Sequence, residues 1–490
     1  MKKIFVIPFI AYLFFTFILI NVQKPHQDEM IQPNLAINLI QNGYIGMPWV
    51  KNVIPVEYVP WWKGLDKHFY AQPPTAILTE ALWFKIFGIG LLQLRLLAVS
   101  FGFIGLLSWF IILKKLDFNE KVIFLSTLLI SIDFIYNRQA TNGRLFDIMS
   151  ASLAFSSWAV YLYLREKSLV KAIVFANTLT AIAGMTHPNG ILGFCGLWFL
   201  IIYYDRKQLN FKKVLLTILP YLTCTILWGI YILQDLEAFR YQFLGNVFGV
   251  YYPSQSGFSW KTIQTEIMNR YLFAYGHSDD FPRYAKLLVL IIGTYFSSFV
   301  LLGLKFKSNP KIRPIFILTF IYFFLLMFLV SHKWTIYLCH ITPLYAVCVA
   351  ILWNETRNKI ARNSFLVLIV IIALLSSGVN IYRLKRNEYR NKYTPDMVEI
   401  KKILEPNKII NAPLETFFTL GFTNTIADHT LCYYSKEPTQ YIITDSEYEK
   451  AFRLQERENI VIYKHIIKTI SKDYKLLFQG KMYKLYKKNS

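Results

Sequence analysis

The sequence predicts an all-α polytopic membrane domain of about eleven spanning helices, followed by a small C-terminal α/β domain. Hydrophobic residues make up 54% of the 490 residues and charged residues only 17%, well below the roughly 25% charge of average soluble domains. Apolar runs of about 20 residues, each long enough to cross a bilayer, recur up to residue 381. Beyond it, short strand-like and helix-like runs replace them.

The first apolar segment, residues 4–20, follows two lysines as a signal peptide would. Its apolar stretch is longer than the hydrophobic region of a typical signal peptide, and no small-residue cleavage site follows it. We therefore expect a retained first span. The other ten candidate spans are residues 86–113, 121–136, 146–164, 169–186, 190–204, 214–233, 286–304, 314–331, 335–353 and 364–381.

The short loops indicate the orientation of these spans. If the N-terminus is cytoplasmic, the inner loops hold nineteen basic and five acidic residues. The first outer loop, 22–81, holds four basic and five acidic residues. This bias is typical of a cytoplasmic N-terminus. We expect a multi-pass protein of the inner (plasma) membrane with an extracytoplasmic C-terminal domain, which can translocate despite its basic charge.

Charge and cysteine usage exclude several classes of protein. The net charge is +23, but its concentration in the inner loops reflects topology, so we expect no nucleic-acid partner. The five cysteines form no C-x-x-C pair, which favours neither a disulfide framework nor a zinc site.

Three regions lie outside on this topology. In the loop 22–85, the run 31–40 before Gly43 predicts a short interfacial helix with Gly43 near its C-cap. The loop 234–285 is rich in Tyr and Phe, which favour the headgroup region.

The tail, residues 382–490, predicts an extracytoplasmic α/β domain separate from a transmembrane domain over 1–381. Its predicted elements are strands at 408–411 and 441–444, helices at 446–456 and 461–471, and two further strands around the turn at Gly480.

Two adjacent acids, Asp28 and Glu29, follow the first span. One of these carboxylates can accept a proton, while the other orients the first or binds a cation. Alternatively, Asp28 caps the interfacial helix. The pattern alone leaves both interpretations open.

Arg138, Arg144 and Asp147 lie where the third predicted span meets the fourth. Arg144 and Asp147 are three residues apart, so one helix face can present both. A surface ion pair would contribute little stability. An acidic side chain at the apolar edge of a span costs free energy, however, and such residues are more often functional. This favours a functional role for Asp147.

Two further outer motifs carry polar side chains. His187, in the turn Thr186–Gly190, can donate to phosphate, although such a turn needs no ligand to form. Lys333 and Tyr337 are either interfacial anchors or contacts to a lipid phosphate. A transporter usually places its polar groups near the midplane, so this placement favours chemistry at the outer interface on a lipid-borne substrate.

The order of these motifs resembles that of the GT-C glycosyltransferases that use polyprenyl- or dolichyl-phosphate sugars, which include protein O-mannosyltransferases and the aminoarabinose transferases of lipid A. The elements that carry the resemblance are Asp28-Glu29, Gly43, Gln72-Pro73-Pro74, Phe87-Gly88, Arg95, Arg144-x-x-Asp147, His187-Pro188-x-Gly190 and Lys333-x-x-x-Tyr337 with Pro343. The chain departs from the pattern at Gln72, where several members have a lysine that contacts the lipid phosphate.

The resemblance implies a GT-C fold and an inverting transfer of a sugar from a polyprenyl-phosphate donor to a lipid, polysaccharide or protein acceptor. It implies that Asp28, Glu29 and Asp147 are catalytic, with a divalent metal ion at Glu29 as an option. The residues expected to bind the donor or its lipid phosphate are Arg95, Arg138, Arg144, His187, Lys333 and Tyr337.

Three alternatives stay open. A transporter or flippase of a lipid-linked sugar would show internal repeats and intramembrane charges, and we find neither in the sequence. An O-antigen polymerase or ligase would usually carry a different pattern of outer arginines. A non-catalytic membrane subunit would tolerate loss of either outer acid.

Overall fold

The computed structural model describes residues 3–51, 53, 59–247, 256–277, 283–307 and 309–489. Up to residue 386 the regular secondary structure of these residues is helical. Their α-helices are α1 Val6–Leu19, α2 Gln27–Asn42, α3 Thr75–Phe87, α4 Leu91–Lys115, α5 Glu120–Ile132, α6 Phe134–Thr141, α7 Leu145–Leu164, α8 Leu169–Gly184, α9 Gly190–Asp205, α10 Phe211–Ile232, α11 Leu236–Phe239, α12 Gly245–Val247, α13 Trp260–Thr265, α14 Val289–Leu304, α15 Arg313–Phe328, α16 Thr342–Glu355 and α17 Lys359–Arg386.

All eleven predicted segments are helical over most of their length. Three of them contain breaks. Gly88 follows α3 in the segment 86–113. Asp133 divides 121–136 into α5 and α6, and its side chain caps the N-terminus of α6. Ile341 divides 335–353 into a 3-10 helix, Thr335–His340, and α16. Five described helices are long and apolar enough to cross a membrane, so the total of eleven spans stays a prediction. These five are Leu91–Lys115, Leu145–Leu164, Phe211–Ile232 and two continuous helical stretches, Lys286–Leu304, which contains α14, and Lys359–Ile403, which begins with α17.

Helix α7 lies at the centre of the helical domain, packed against α4, α8 and α9. Glycines allow α9 to approach closely, because a Cβ at Gly196 would lie 2.2 Å from the Trp158 ring and one at Gly193 2.6 Å from Ala154. By contrast, α10 and α17 expose large apolar side chains such as Leu227 and Leu374. The periphery is thus suited to lipid, and the start of α7 is placed in the core.

Helix α2 begins earlier than the sequence pattern indicates, at Gln27. Its N-cap is His26, whose side chain accepts from the Asp28 N–H, while Glu29 accepts from the His26 N–H in a reciprocal capping box. The interpretation of Asp28 as the cap is therefore wrong. Gly43 ends the helix at φ +81°, as predicted.

The C-terminal part is a small α/β unit. Its strands are β1 Ile410–Asn411, β2 Thr425–Ile426, β3 Tyr441–Thr444, β4 Tyr474–Gln479 and β5 Lys484–Lys488. They form one sheet in the order β2-β1-β3-β5-β4, with β1 parallel to β2 and β3, and β5 antiparallel to β3 and β4. This confirms the predicted strands and helices of the tail. The helices of the unit are α18 Thr394–Ile403, α19 Phe417–Leu420, α20 Ser446–Glu458 and α21 Ile460–Lys468.

This unit contacts the end of the helical domain from which α2 starts. The ammonium of Lys24 lies 2.9 Å from Glu415 Oε1 and 3.7 Å from Asp445 Oδ2. The backbone N–H of Tyr389 donates to the Val22 carbonyl at 3.1 Å. The segment after α1 is therefore fixed to the α/β unit at the same end as Asp28.

Asp445 gives this contact a pH dependence that can be measured. Burial and the charge of Glu415 raise its pKa from 3.8 to about 6, so the folded state binds the proton more tightly than the unfolded state. The contribution of Asp445 to stability therefore falls as pH rises from about 4 to about 6. Its Oδ1 accepts from the Glu447 and Tyr448 N–H groups, a role that Asn can also fill.

We expect Asp445→Asn to raise the Tm at pH 7.5 by a few degrees, corresponding to about 2 kcal/mol at most, and to leave it unchanged below pH 4. Thermal unfolding of the detergent-solubilised protein at several pH values measures this. Asp473→Asn, which removes an exposed acid of the same unit, is the matched control. A gain in Tm of equal size at both pH values would contradict the assignment.

Candidate active site

Asp28 lies in the first turn of α2 and is the most accessible acid of the candidate site. Its carboxylate is 41% exposed and forms an ion pair with the Nη1 of Arg144, from the loop before α7. A carboxylate that is fixed on one side and open on the other can accept a proton from an incoming group.

Arg144 contacts two acids, Asp28 and Asp147. Its contact with Asp147 agrees with their three-residue spacing in the sequence. Its Nε lies 3.1 Å from Asp147 Oδ2, and Asp147 is fully buried in the first turn of α7. Its guanidinium also lies over the Trp334 ring, 5.2 Å from the centroid. Burial alone would lower the pKa of Arg144, but the charges of Asp147 and Asp28 raise it above its usual value. Arg144 is therefore a permanent cation beside Asp28.

Glu29, next to Asp28 in sequence, has a different environment. It is 1% exposed and binds Arg95 of α4 through two bonds, Nε to Oε1 at 2.6 Å and Nη2 to Oε2 at 3.0 Å. Glu29 Oε1 also accepts from the Gly143 N–H at 2.7 Å, and Oε2 accepts from the His26 N–H at 3.0 Å. Four donors thus satisfy the Glu29 carboxylate.

This donor set does not fit the divalent ion that the resemblance implies at Glu29. Both carboxylate oxygens already accept hydrogen bonds, and a metal would have to displace Arg95. Within the described residues, no cluster of three or more His, Cys, Asp or Glu side chains could hold a metal ion. We therefore assign no step to a metal at Glu29.

Lys333 is enclosed by acceptors from its own neighbourhood. Its ammonium donates to the carbonyls of Leu326, Met327 and Val330 at 2.6–3.0 Å and lies 3.2 Å from Glu266 Oε2. Burial lowers its pKa to about 8. Lys333 therefore caps the C-terminal end of α15, and in this structure it does not offer the contact to a lipid phosphate that we expected.

Arg270 was missed by the sequence analysis and shares Glu266 with Lys333. It is fully buried and donates to Glu266 Oε1 at 2.6 Å and to the His332 carbonyl at 2.7 Å. Its guanidinium lies 5.7 Å from the centre of the Tyr337 ring. The i,i+4 spacing of Glu266 and Arg270 in an otherwise aromatic segment was the available signal.

His187 and Tyr337 form a buried wall beside Arg144. Their ring centroids are 5.5 Å apart. Burial and then the charge of Arg144 lower the pKa of His187 to about 3, so the imidazole is neutral. Its Nδ1 accepts from the Asn189 N–H at 3.0 Å, which leaves Nε2 as the donor.

The Gln72-Pro73-Pro74 turn lies next to the His187 loop. The Thr75 N–H donates to the Met185 carbonyl at 3.2 Å, so two motifs far apart in sequence meet. Gln72 Oε1 is buried without a hydrogen-bond partner among the described residues.

Arg138 of α6 lines a cavity next to the segment from which α2 starts. It is half-buried, and the C-terminal end of α17 and Gln23 line the same cavity. The structure thus brings Asp28, Arg144, Asp147, His187 and Tyr337 together, and places Arg138 in the lining of a neighbouring cavity.

Comparison with solved structures defines the fold. ArnT from Cupriavidus metallidurans bound to undecaprenyl phosphate aligns with a TM-score of 0.65 at 10% identity, over 98% of this chain and 97% of ArnT. The apo state of that protein aligns over the same shares with a TM-score of 0.63 and 10% identity. The chain has a GT-C fold. The Archaeoglobus fulgidus oligosaccharyltransferase in the apo form, another GT-C structure, aligns with a TM-score of 0.55 at 11% identity, over 98% of this chain and 74% of that enzyme.

The GT-C fold confirms the resemblance drawn from the motif order, and with five apolar helices of spanning length it identifies a membrane protein. No family model matches the sequence. An uncharacterized protein from Aquifex aeolicus (strain VF5) is 23% identical over 324 residues, 64% of this chain. The match spans 59% of that relative's length.

The different environments of the two adjacent acids predict different effects on stability. Glu29→Gln leaves Arg95 buried without a charged partner, so we expect a loss of about 3–5 kcal/mol. Asp28→Asn changes a partly exposed pair and leaves Arg144 its contact to Asp147, so we expect a loss within about 1 kcal/mol. Thermal unfolding in detergent measures both, and equal losses of Tm would contradict a structural role for Glu29.

Proposed function

We propose that the chain is a glycosyltransferase that moves a sugar from a polyprenyl-phosphate donor to an acceptor at the extracytoplasmic face of the inner (plasma) membrane. The observation that carries the proposal is the accessible Asp28 carboxylate, which is paired with Arg144, in a GT-C fold that aligns with ArnT over 98% of this chain. Arg144 is in turn held by Asp147. The solved ArnT carries undecaprenyl phosphate, which supports the donor class. The fold does not favour the transporter alternative.

In the proposed reaction Asp28 accepts the proton of the acceptor hydroxyl or phosphate as its oxygen attacks the anomeric carbon. The bond from that carbon to the phosphate oxygen breaks, and its electron pair leaves with the lipid phosphate. A single displacement inverts the anomeric configuration. The phosphate needs no general acid if cations stabilise its charge.

The other acids serve as positioning residues in this proposal. Asp147 orients Arg144, which in turn orients the Asp28 carboxylate. Glu29 and Arg95 fix the first turn of α2 against the loop that carries Arg144.

The remaining polar residues shape the donor site. His187 offers a neutral Nε2–H donor, and Tyr337 forms the wall beside it. Lys333 acts indirectly, because it fixes the end of α15 from which the chain leads to Tyr337.

The test is transfer activity in cells that lack the gene. Asp28→Asn keeps the shape of the side chain but removes the base, so we expect transfer to fall by about 10²–10⁴-fold while the protein accumulates normally in the membrane. Mass spectrometry of lipid-linked sugars should then show the unused donor, and its mass would identify the sugar.

The matched control is Asp66→Asn, in the same loop but outside the cluster, which should restore wild-type transfer. Full transfer by Asp28→Asn would exclude Asp28 as the base. The absence of any accumulated lipid-linked sugar in the deletion strain would argue against the donor class.

A further inference from the structure

A cavity of about 150 Å³, lined by both charged and apolar side chains, lies between the segment after α1 and the C-terminal end of α17. Three of its lining residues are arginines, Arg138, Arg383 and Arg386, and one is an acid, Glu388. Glu388 forms an ion pair with Arg386 at 2.7 Å. The cavity therefore has a positive charge in excess of its own carboxylate.

Arg383 is the unusual group in this cavity. Its Nε and Nη1 are buried and have no hydrogen-bond partner among the described residues. The nearby charges of Arg138 and Arg95 have the same sign as its own and therefore repel it. A buried guanidinium in such a field is costly unless an anion compensates it. Its planar donors match the oxygens of a phosphate.

The surface below the cavity is apolar. Helices α1 and α17 pack together, and they expose Phe14, Phe17, Leu374 and Ile381, each more than half accessible. A phosphate carried on a long hydrocarbon chain fits this combination, with its head group in the cavity and its chain along the two helices.

The cavity and the proposed active site share a wall. Arg95 Nη1 donates to the carbonyl of Gln23, a cavity residue, at 3.1 Å, while the rest of the guanidinium binds Glu29 beside Asp28. The charge of Arg138 also acts on His26, the N-cap of α2. An anion held by Arg383 and Arg138 would therefore lie next to the first turn of α2.

Three of the basic residues that were expected to bind the lipid phosphate are held by acceptors of the protein itself. Arg95 is bound to Glu29 and two carbonyls, Lys333 to three carbonyls and Glu266, and Arg144 to two carboxylates. We propose that Arg383, together with Arg138 and Arg386, binds the phosphate of a polyprenyl-phosphate carrier. The identity of the lipid rests on the proposed glycosyl transfer.

The experiment measures binding of undecaprenyl phosphate to the full chain in detergent, by the increase of Tm with ligand concentration. We expect Arg383→Gln to raise the Kd by about 10- to 100-fold, since charge-assisted hydrogen bonds to phosphate are lost. The variant without ligand should be at least as stable as the wild type, because an uncompensated buried charge has been removed. Arg390→Gln, which removes an exposed arginine beyond the cavity, should bind as the wild type does.

Wild-type affinity in Arg383→Gln would overturn the proposal. If that variant does not fold, Arg138→Gln tests the same cavity and should also raise the Kd. Inorganic phosphate and phosphatidylglycerol are the comparison ligands, and an equal response to either would overturn the assignment to a polyprenyl phosphate. Asp28→Asn should bind normally. If it also transfers normally, the proposed base fails, whereas normal binding by Arg383→Gln refutes only this site.

Discussion

The ion pair between Glu29 and Arg95 connects three separate parts of the chain at one end of the helical domain. The free energy lost when two charges are removed from water exceeds the stabilisation from a single contact between them. A buried ion pair is therefore stable only when its remaining donors and acceptors also form hydrogen bonds. Here the carboxylate accepts from Gly143 and His26 as well, and the guanidinium donates to the carbonyls of Ile20 and Gln23. Because Gly143 precedes Arg144, the pair sets the position of Arg144 opposite Asp28.

Buried cations in this structure fall into two classes, which differ in what satisfies their donors. Arg95, Arg270 and Lys333 each bind a buried acid and nearby carbonyls, so they order the chain around the site. Arg383 keeps two buried nitrogens without an acceptor from the described part of the chain. Charge alone does not separate these classes, but hydrogen-bond satisfaction does.

Local sequence patterns predicted the structural features that depend on residues close together in the sequence. The apolar helices, the C-cap at Gly43 and the spacing of Arg144 and Asp147 follow from periodicity and turn chemistry within a few residues. The sequence could not divide the roles of Asp28 and Glu29, because neighbouring helical residues point about 100° apart and only the fold shows which direction meets α4. The sequence could not show that Glu266 is a partner of Lys333 for a similar reason, because Glu266 lies in a distant segment of the chain.

Arg95 links the two sites that the proposals assign. One edge of its guanidinium fixes Glu29 beside Asp28, and Nη1 fixes Gln23 in the wall of the arginine-lined cavity. The segment that contains Gln23 is also attached to the α/β unit through Val22 and Tyr389. A displacement of this segment would therefore change the cavity and the first turn of α2 together. A phosphate in the cavity and a proton acceptor at Asp28 would then be held in one rigid frame, as a displacement reaction between two bound substrates requires.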